Sequence, residues 1–191
     1  CALPIFFLNF IRYNYYQNMK KANKKLNAAI VIIGNEILSG RTQDVNVMNI
    51  SNWLNGLGVK LDEVRVIPDI EKTIIKTVNE VRKNFKYVFT TGGIGPTHDD
   101  ITSKSVSKAF NNKYCYHPQA YKLLEDYYEK DKFNIGRKKM AKMPKKASLI
   151  YNPSSAAPGF YIENVYCLPG VPSILKSMLG GLNNKIIGGS K

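Results

Sequence analysis

The chain is short of the residues that build several common sites. Three cysteines stand among 191 residues, Cys1, Cys115 and Cys167, with no C-x-x-C between them. That spacing excludes a zinc-ribbon or disulfide framework and fits a reducing cytoplasm. No Gly-Lys-Ser/Thr follows any glycine run, so there is no Walker A loop, and the Gly-x-Gly-x-x-Gly of dinucleotide folds is missing. No apolar run is long enough to cross a bilayer; the run from Leu3 to Ile11 is far too short.

Acidic residues are scarce too: 14 Asp and Glu face 28 Lys and Arg, a formal net charge of +14. Such a balance can signal nucleic-acid or membrane-surface binding. Here the excess is mostly lysine scattered along the chain, without an arginine cluster interleaved with aromatics. Neither a nucleic-acid nor a membrane partner is therefore expected. The same scarcity makes carboxylates that gather in one place conspicuous.

Two adjacent carboxylates, Asp99 and Asp100, sit in the stretch Thr90-Thr91-Gly92-Gly93-Ile94-Gly95-Pro96-Thr97-His98-Asp99-Asp100-Ile101-Thr102. The apolar Tyr87-Val88-Phe89 before it reads as a buried strand, and Ser103 to Phe110 after it has helical spacing. A glycine loop from a strand to a helix start is where open α/β sheets hold anions. Carboxylates alone would repel a phosphate at that place. Mg²⁺ or another divalent metal held by Asp99 and Asp100 would reconcile the two, because that ion commonly bridges one or two carboxylates and substrate phosphates. In the alternative, one acid caps the helix and the glycines only make the turn. His98, flanked by acids, reads as an exposed residue rather than a base.

The rest of the chain alternates. Ala28 to Ile33 is a continuous apolar run, as in a central parallel strand. Gly34 to Arg41 reads as a loop, and Asp44 as the cap of a helix with Val47, Ile50, Trp53, Leu54 and Leu57 inward. A second strand, about Val59 to Ile67, ends at Pro68-Asp69, and an amphipathic helix follows from Glu71 to Val81. Three strand-end loops thus bring Glu36, Asp69, Asp99 and Asp100 to one sheet edge. Further on, His117-Pro118 opens a helix. Asn134 to Pro144 is a basic turn or helix ending at a proline, either a solvated face or a source of phosphate contacts. Residues 160–162 and 165–168 form a strand pair about Glu163-Asn164. Leu168-Pro169-Gly170-Val171-Pro172 is a second strand-to-helix corner. Residues 1–25 are expected outside the fold, as a disordered or non-native extension; residues 26–182 form the domain, and 183–191 a loose tail.

Several of these stretches, in this order, resemble the molybdopterin-binding (MoaB/Mog, MoCF biosynthesis) domain. They are Gly34-Asn35-Glu36-Ile37-Leu38-Ser39-Gly40 with Asn46, Thr91 to Thr102, Met143-Pro144, Ala157-Pro158-Gly159 and Pro169-Gly170-Val171-Pro172. They are most similar to its branches in the competence/damage-inducible protein A amino-terminal domain and the FAD synthase molybdopterin-binding-like domain. The resemblance spans about Ala28 to Leu179 and implies a three-layer α/β/α sandwich with a mostly parallel sheet, assembled as a homo-oligomer in the cytoplasm. It implies a small-molecule nucleotide or pterin as ligand, molybdopterin among the candidates. Asp69 and Asp100 would be catalytic, and Gly92, Gly93 and Gly95 would hold phosphate. Gly34, Glu36, Asn46, Thr91, Pro96, Thr97, Ser155, Pro158, Gly159, Gly170 and Pro172 would complete the ligand contacts. The implied activity is metal-dependent cleavage of a nucleotide diphosphate such as ADP-ribose, or of FAD. In the molybdopterin branch it is instead pterin binding or adenylylation without hydrolysis. One departure stands out: Ser155-Ala156 replaces the Gly-Thr that commonly precedes Ala-Pro-Gly. The amidase activity that often accompanies the competence-type domain is not expected of this chain.

Overall fold

A computed structural model describes residues 26–189; the extension expected over 1–25 lies outside the described residues. Strand β1, Asn27–Ile33, is apolar and buried from Ala28 onward. Helices α1, Asn35–Leu38, and α2, Asn46–Gly56, follow it. Strand β2, Lys60–Ile67, leads to α3, Glu71–Asn84, then β3, Tyr87–Thr91, and α4, Thr102–Ala109. After β4, Tyr114–Tyr116, come α5, Pro118–Tyr127, and α6, Ile135–Lys139. Strands β5, Lys142–Pro144, β6, Ser148–Ile150, β7, Gly159–Ile162, and β8, Val165–Leu168, precede α7, Pro172–Leu179, and a 3₁₀ turn, Gly180–Leu182.

The main sheet runs β2-β1-β3-β8-β7-β6. Pairings β1–β2, β1–β3 and β3–β8 are parallel, whereas β7–β8 and β6–β7 are antiparallel. Alternation along β1 assigns each residue to a face. Ala29, Val31 and Ile33 pack with Ile74, Val78 and Val81 of α3 and Val106 of α4. Ala28, Ile30 and Ile32 pack with Ile50 and Leu54 of α2 and Leu175 and Met178 of α7. Helices therefore cover both faces, which makes a three-layer α/β/α sandwich with a mostly parallel sheet and explains the unbroken apolar run.

The chain leaves β1 towards β2, then returns across β1 to β3, so the winding reverses between β1 and β3. The carboxyl ends of β1, β2, β3 and β8 share one edge, and the crevice at such a reversal is where doubly wound sheets accept ligands.

Three expectations need correction. Gly34 to Arg41 is not all loop, because Asn35–Leu38 closes one helical turn. The basic segment is a helix that ends at Lys139 and then a strand, with Pro144 opposite Tyr114 in the small β4–β5 ribbon. The tail over 183–189 is docked rather than loose. Ile186 is buried, and the Tyr87 hydroxyl donates to the Ile187 carbonyl and accepts from its N–H. A Cβ on Gly188 would overlap the Leu57 carbonyl, and one on Gly58 would stand 2.5 Å from the Gly189 oxygen. Those glycines allow two backbones to touch.

Candidate functional site

At the shared strand edge lies a cleft of about 690 Å³. Its floor and one wall are strand-end backbone. Gly92 and Gly93 take the left-handed conformation, φ 94° and 68°. A side chain at Gly92 would overlap the Ile33 carbonyl, and one at Gly93 the Thr102 hydroxyl. Gly95 leaves room for the Asp100 carboxylate, which would stand 2.7 Å from a Cβ. The loop therefore needs glycine for steric reasons before any ligand is considered.

Its N–H groups divide into two kinds. Gly92 N–H donates to the Leu168 carbonyl at 3.1 Å, so it is not available to a phosphate as the sequence suggested. The N–H groups of Gly93 and Gly95 have no hydrogen-bond partner among the described residues and border the cleft. Asp100 accepts from Thr97 N–H at 2.8 Å and from the Thr97 hydroxyl. It pins the turn within the loop, and α4 has no side-chain cap at all. Lys139 reaches in from α6 and donates its ammonium to the Thr97 carbonyl. Burial holds the Lys139 pKa below its ordinary value, and Asp100 and Asp99 pull it back up.

The neighbouring strand ends supply the other carboxylates. Glu36 rides on α1 and lines the cleft. Asp69 accepts from Asn35 N–H at 2.9 Å and so ties the end of β2 to α1. Burial holds the Asp69 carboxyl above its usual range, the Asn35 bond opposes this, and the charges of Glu36, Asp99 and Asp100 add to it. Asp99 is exposed, and a hydrogen bond from Thr97 keeps its carboxyl below the usual range. Among the described residues no three His, Cys, Asp or Glu side chains stand together as a ready metal cluster.

Beside the glycine loop, the third corner closes the floor. Asn46, 3% exposed, donates its amide to the Gly170 carbonyl at 2.8 Å. This fixes which end of the amide is which, and leaves Oδ1 buried without a partner. Asp44 accepts from Val47 N–H at 2.9 Å, as expected of a cap. Asn152 organises the small-residue loop: Oδ1 accepts from Ser154 and Ser155 N–H, and Nδ2 donates to Ser155 Oγ and the Ala157 carbonyl. Ser155 is thereby committed to the loop.

Of the residues named from sequence, Glu36, Asn46, Gly92, Gly93, Gly95, Pro96, Asp100, Ser155, Pro158, Gly170 and Pro172 line this one cleft. Gly34, Asp69, Thr91, Thr97, Asp99 and Gly159 do not. Thr91 is buried within β3. Gly159 opens β7, where a Cβ would stand 2.6 Å from the Cys167 carbonyl, so it serves the sheet. Gly34 makes room for the Glu36 side chain. Tyr128, Arg137, Met140 and Asn152 also line the cleft, and sequence reasoning did not select them. Arg137 was legible only as part of a basic segment; the Asn-x-Ser-Ser pattern at Asn152 was a usable sign of an Asx turn.

Comparison with known proteins follows the same lines. Residues 29–187 match the family described as "Probable molybdopterin binding domain". A protein of Archaeoglobus fulgidus is 32% identical over 148 residues, 78% of this chain and 63% of that relative. A CinA-like protein of Desulforapulum autotrophicum is 34% identical over 155 residues, 78% of this chain and 37% of the relative. The chain thus spans less than two thirds of the length of either. The solved CinA structure from Thermoplasma acidophilum superposes with a TM-score of 0.80 at 31% identity, covering 86% of this chain and 99% of that one. The tungsten-cofactor-synthesising MoaB of Pyrococcus furiosus shares the fold, with a TM-score of 0.55 at 20% identity over 85% and 93% of the two chains.

Proposed function

The chain belongs to the molybdopterin-binding (MoCF biosynthesis) domain family, and from that premise we propose that its cleft binds a phosphorylated nucleotide or pterin and hydrolyses a nucleotide diphosphate of the ADP-ribose or FAD type. One observation carries this reading: the unpartnered N–H groups of Gly93 and Gly95 open onto the same cleft as the carboxylates of Asp100 and Glu36. Donors for phosphate and acceptors for a cation or a water meet there.

The carboxylates suit Mg²⁺ or another hard divalent ion, which is typically held by one or two protein carboxylates together with substrate phosphates. Asp100, with Asp99 beside it, would hold such an ion. When bound it would offset the charge of the diphosphate and lower the pKa of a water. The residues themselves do the positioning. Gly93 and Gly95 hold phosphate oxygens through N–H groups that need no rearrangement. Thr97 and Lys139 keep the Asp100 loop in place. Asp69, set back from the cleft, is proposed as the acid that fixes α1, and with it Glu36, above the ligand. The domain is further proposed to work as a cytoplasmic homo-oligomer.

The test is phosphate release from a panel of nucleotide diphosphates, ADP-ribose and FAD included. Each is assayed with phosphatase to expose monophosphate products, with and without Mg²⁺, Mn²⁺ or Co²⁺. Metal-dependent turnover of one member is expected, with Asp100→Asn reducing it by roughly 10²-fold or more. Undiminished turnover in Asp100→Asn would overturn the proposal.

A specific observation favours a second reading, ligand binding without hydrolysis. Asp69 does not reach the cleft lining, and one Asp100 oxygen is already committed to Thr97. A molybdopterin-binding or adenylylating protein would need no more than this. No turnover with any metal, together with retained molybdopterin binding, selects that reading.

A further inference from the structure

The cleft is lopsided in charge. Glu36, Asp44 and Asp100 line it with carboxylates, and Arg137 is the sole cation on its lining among the described residues. The sequence left its basic segment as either a solvated face or a source of phosphate contacts; the structure brings Arg137 to the cleft on α6, a five-residue helix far from the strand ends in sequence.

Two restraints hold that side chain in advance, and a third fixes its helix. Asn134 Oδ1 accepts from the Arg137 backbone N–H at 3.0 Å and fixes the start of the helix. Nη1 donates to the Lys132 carbonyl at 2.6 Å. The guanidinium lies over the Tyr128 ring, 4.2 Å from its centroid, and Tyr128 also lines the cleft. The helix itself is pressed to the glycine loop, since a Cβ on Gly136 would stand 2.9 Å from the Pro96 carbonyl. Nε and Nη2 keep donors with no partner among the described residues, and Arg137 makes no ion pair with any carboxylate among them.

A planar cation with its orientation already set, and with donors unspent, loses little entropy on meeting an oxyanion. In a cleft otherwise lined by carboxylates, it is also the place an anionic group would be drawn to. We infer that Arg137 is the phosphate-recognising arm of the cleft, gripping the phosphate of a phosphorylated ligand together with the N–H groups of Gly93 and Gly95. This rests on the cleft being a site for phosphorylated ligands, and it is independent of whether that ligand is cleaved.

The experiment is calorimetric titration of the whole chain in EDTA, where no metal-dependent turnover can occur. The probes are AMP against adenosine, FMN against riboflavin, and inorganic pyrophosphate, which needs no head group. Wild type is expected to bind the phosphorylated member of one pair, or pyrophosphate, at least about 10-fold more tightly than any unphosphorylated probe. Arg137→Met weakens that binding by about 10- to 100-fold, as expected for loss of a charge-assisted pair, and leaves the parent compound unchanged. Arg137→Lys falls between. The pair that responds identifies the head group.

A structural arginine gives a different pattern, in which both members weaken together and the melting temperature falls. If Arg137→Met alone disturbs the fold, the ratio measured in Arg137→Lys still decides. Either a wild type that ignores phosphate or an Arg137→Met that keeps the preference overturns the inference. Turnover without an Arg137 effect sinks this inference and spares the hydrolase proposal; the reverse result does the opposite.

Discussion

The two sides of the cleft are built differently. The strand-end side, from Gly92 to Asp100 with Gly170, is assembled largely by backbone, with the Asn46 and Asp100 side chains as ties: Gly92 meets the Ile33 carbonyl, Thr102 N–H donates to the Gly93 carbonyl, and Gly92 N–H donates to Leu168. The α6 side meets backbone at one point, Gly136 on the Pro96 carbonyl, and is otherwise assembled by side chains, with Arg137 on Tyr128 and Lys139 on Thr97. Backbone contact leaves no slack, so the first side tolerates almost no change and needs glycine even in the absence of a ligand. Side-chain contact leaves rotamers and partners to exchange, so the second side can be altered without unfolding the protein.

That contrast is breakable. The largest effect is expected for Gly92→Ala, where positive φ and overlap with the Ile33 carbonyl combine. Stability should fall by about 3 kcal/mol or more, read as a lower Tm by calorimetry. A shift of only a degree or two would mean the strand-end side is as yielding as the other. Next comes Asn46→Ala, which removes the bond from a buried amide to the Gly170 carbonyl and should cost about 1–1.5 kcal/mol. On the α6 side, Lys139→Met should cost less than about 1 kcal/mol, since the exposed parts of such contacts are screened. It should still weaken nucleotide affinity several-fold by loosening the Thr97 turn. A Tm loss in Lys139→Met equal to that in Asn46→Ala would erase the distinction.

The smallest effect concerns Asp69. Its folded-state pKa is raised, chiefly by burial. The native state therefore prefers the protonated acid, and the stability this contributes is full below the unfolded value near 3.8 and lost as pH rises through the folded value. Asp69→Asn keeps an acceptor for Asn35 N–H while removing the charge. Denaturant titrations should find it slightly more stable than wild type at pH 7, with the advantage gone below about pH 4. An advantage that persists at low pH would show that something other than the buried charge is at work.

Much of this was legible in the sequence, for identifiable reasons. The unbroken apolar run at Ala28 to Ile33 needs cover on both faces, and it has it. The three strand ends had to share an edge because parallel crossovers allow nothing else. Strands β4, β5 and β6 are three residues each, too short for any period to register. The turn at α1 is a single one, and lacks a side-chain cap to announce it. Arg137 was legible only as part of a basic segment with two readings, and Tyr128 not at all, because their place on the cleft follows from how α6 leans on Pro96, a tertiary fact with no local signature. The glycines at 188 and 189 were legible as glycines but not as contact points: a residue chosen for slack and one chosen for closeness look alike until the neighbour is known.

The order of strands has a consequence in time. Strands β1, β2 and β3 pair within a span of some sixty residues, whereas β8 pairs with β3 only after more than seventy further residues, as at Val88 and Val165. Closing that longer loop carries the greater entropic cost and comes late. Gly170, the partner of Asn46, arrives with it. The cleft is then among the later parts of the domain to come into being, and a ligand can reward a finished fold but cannot help to start one.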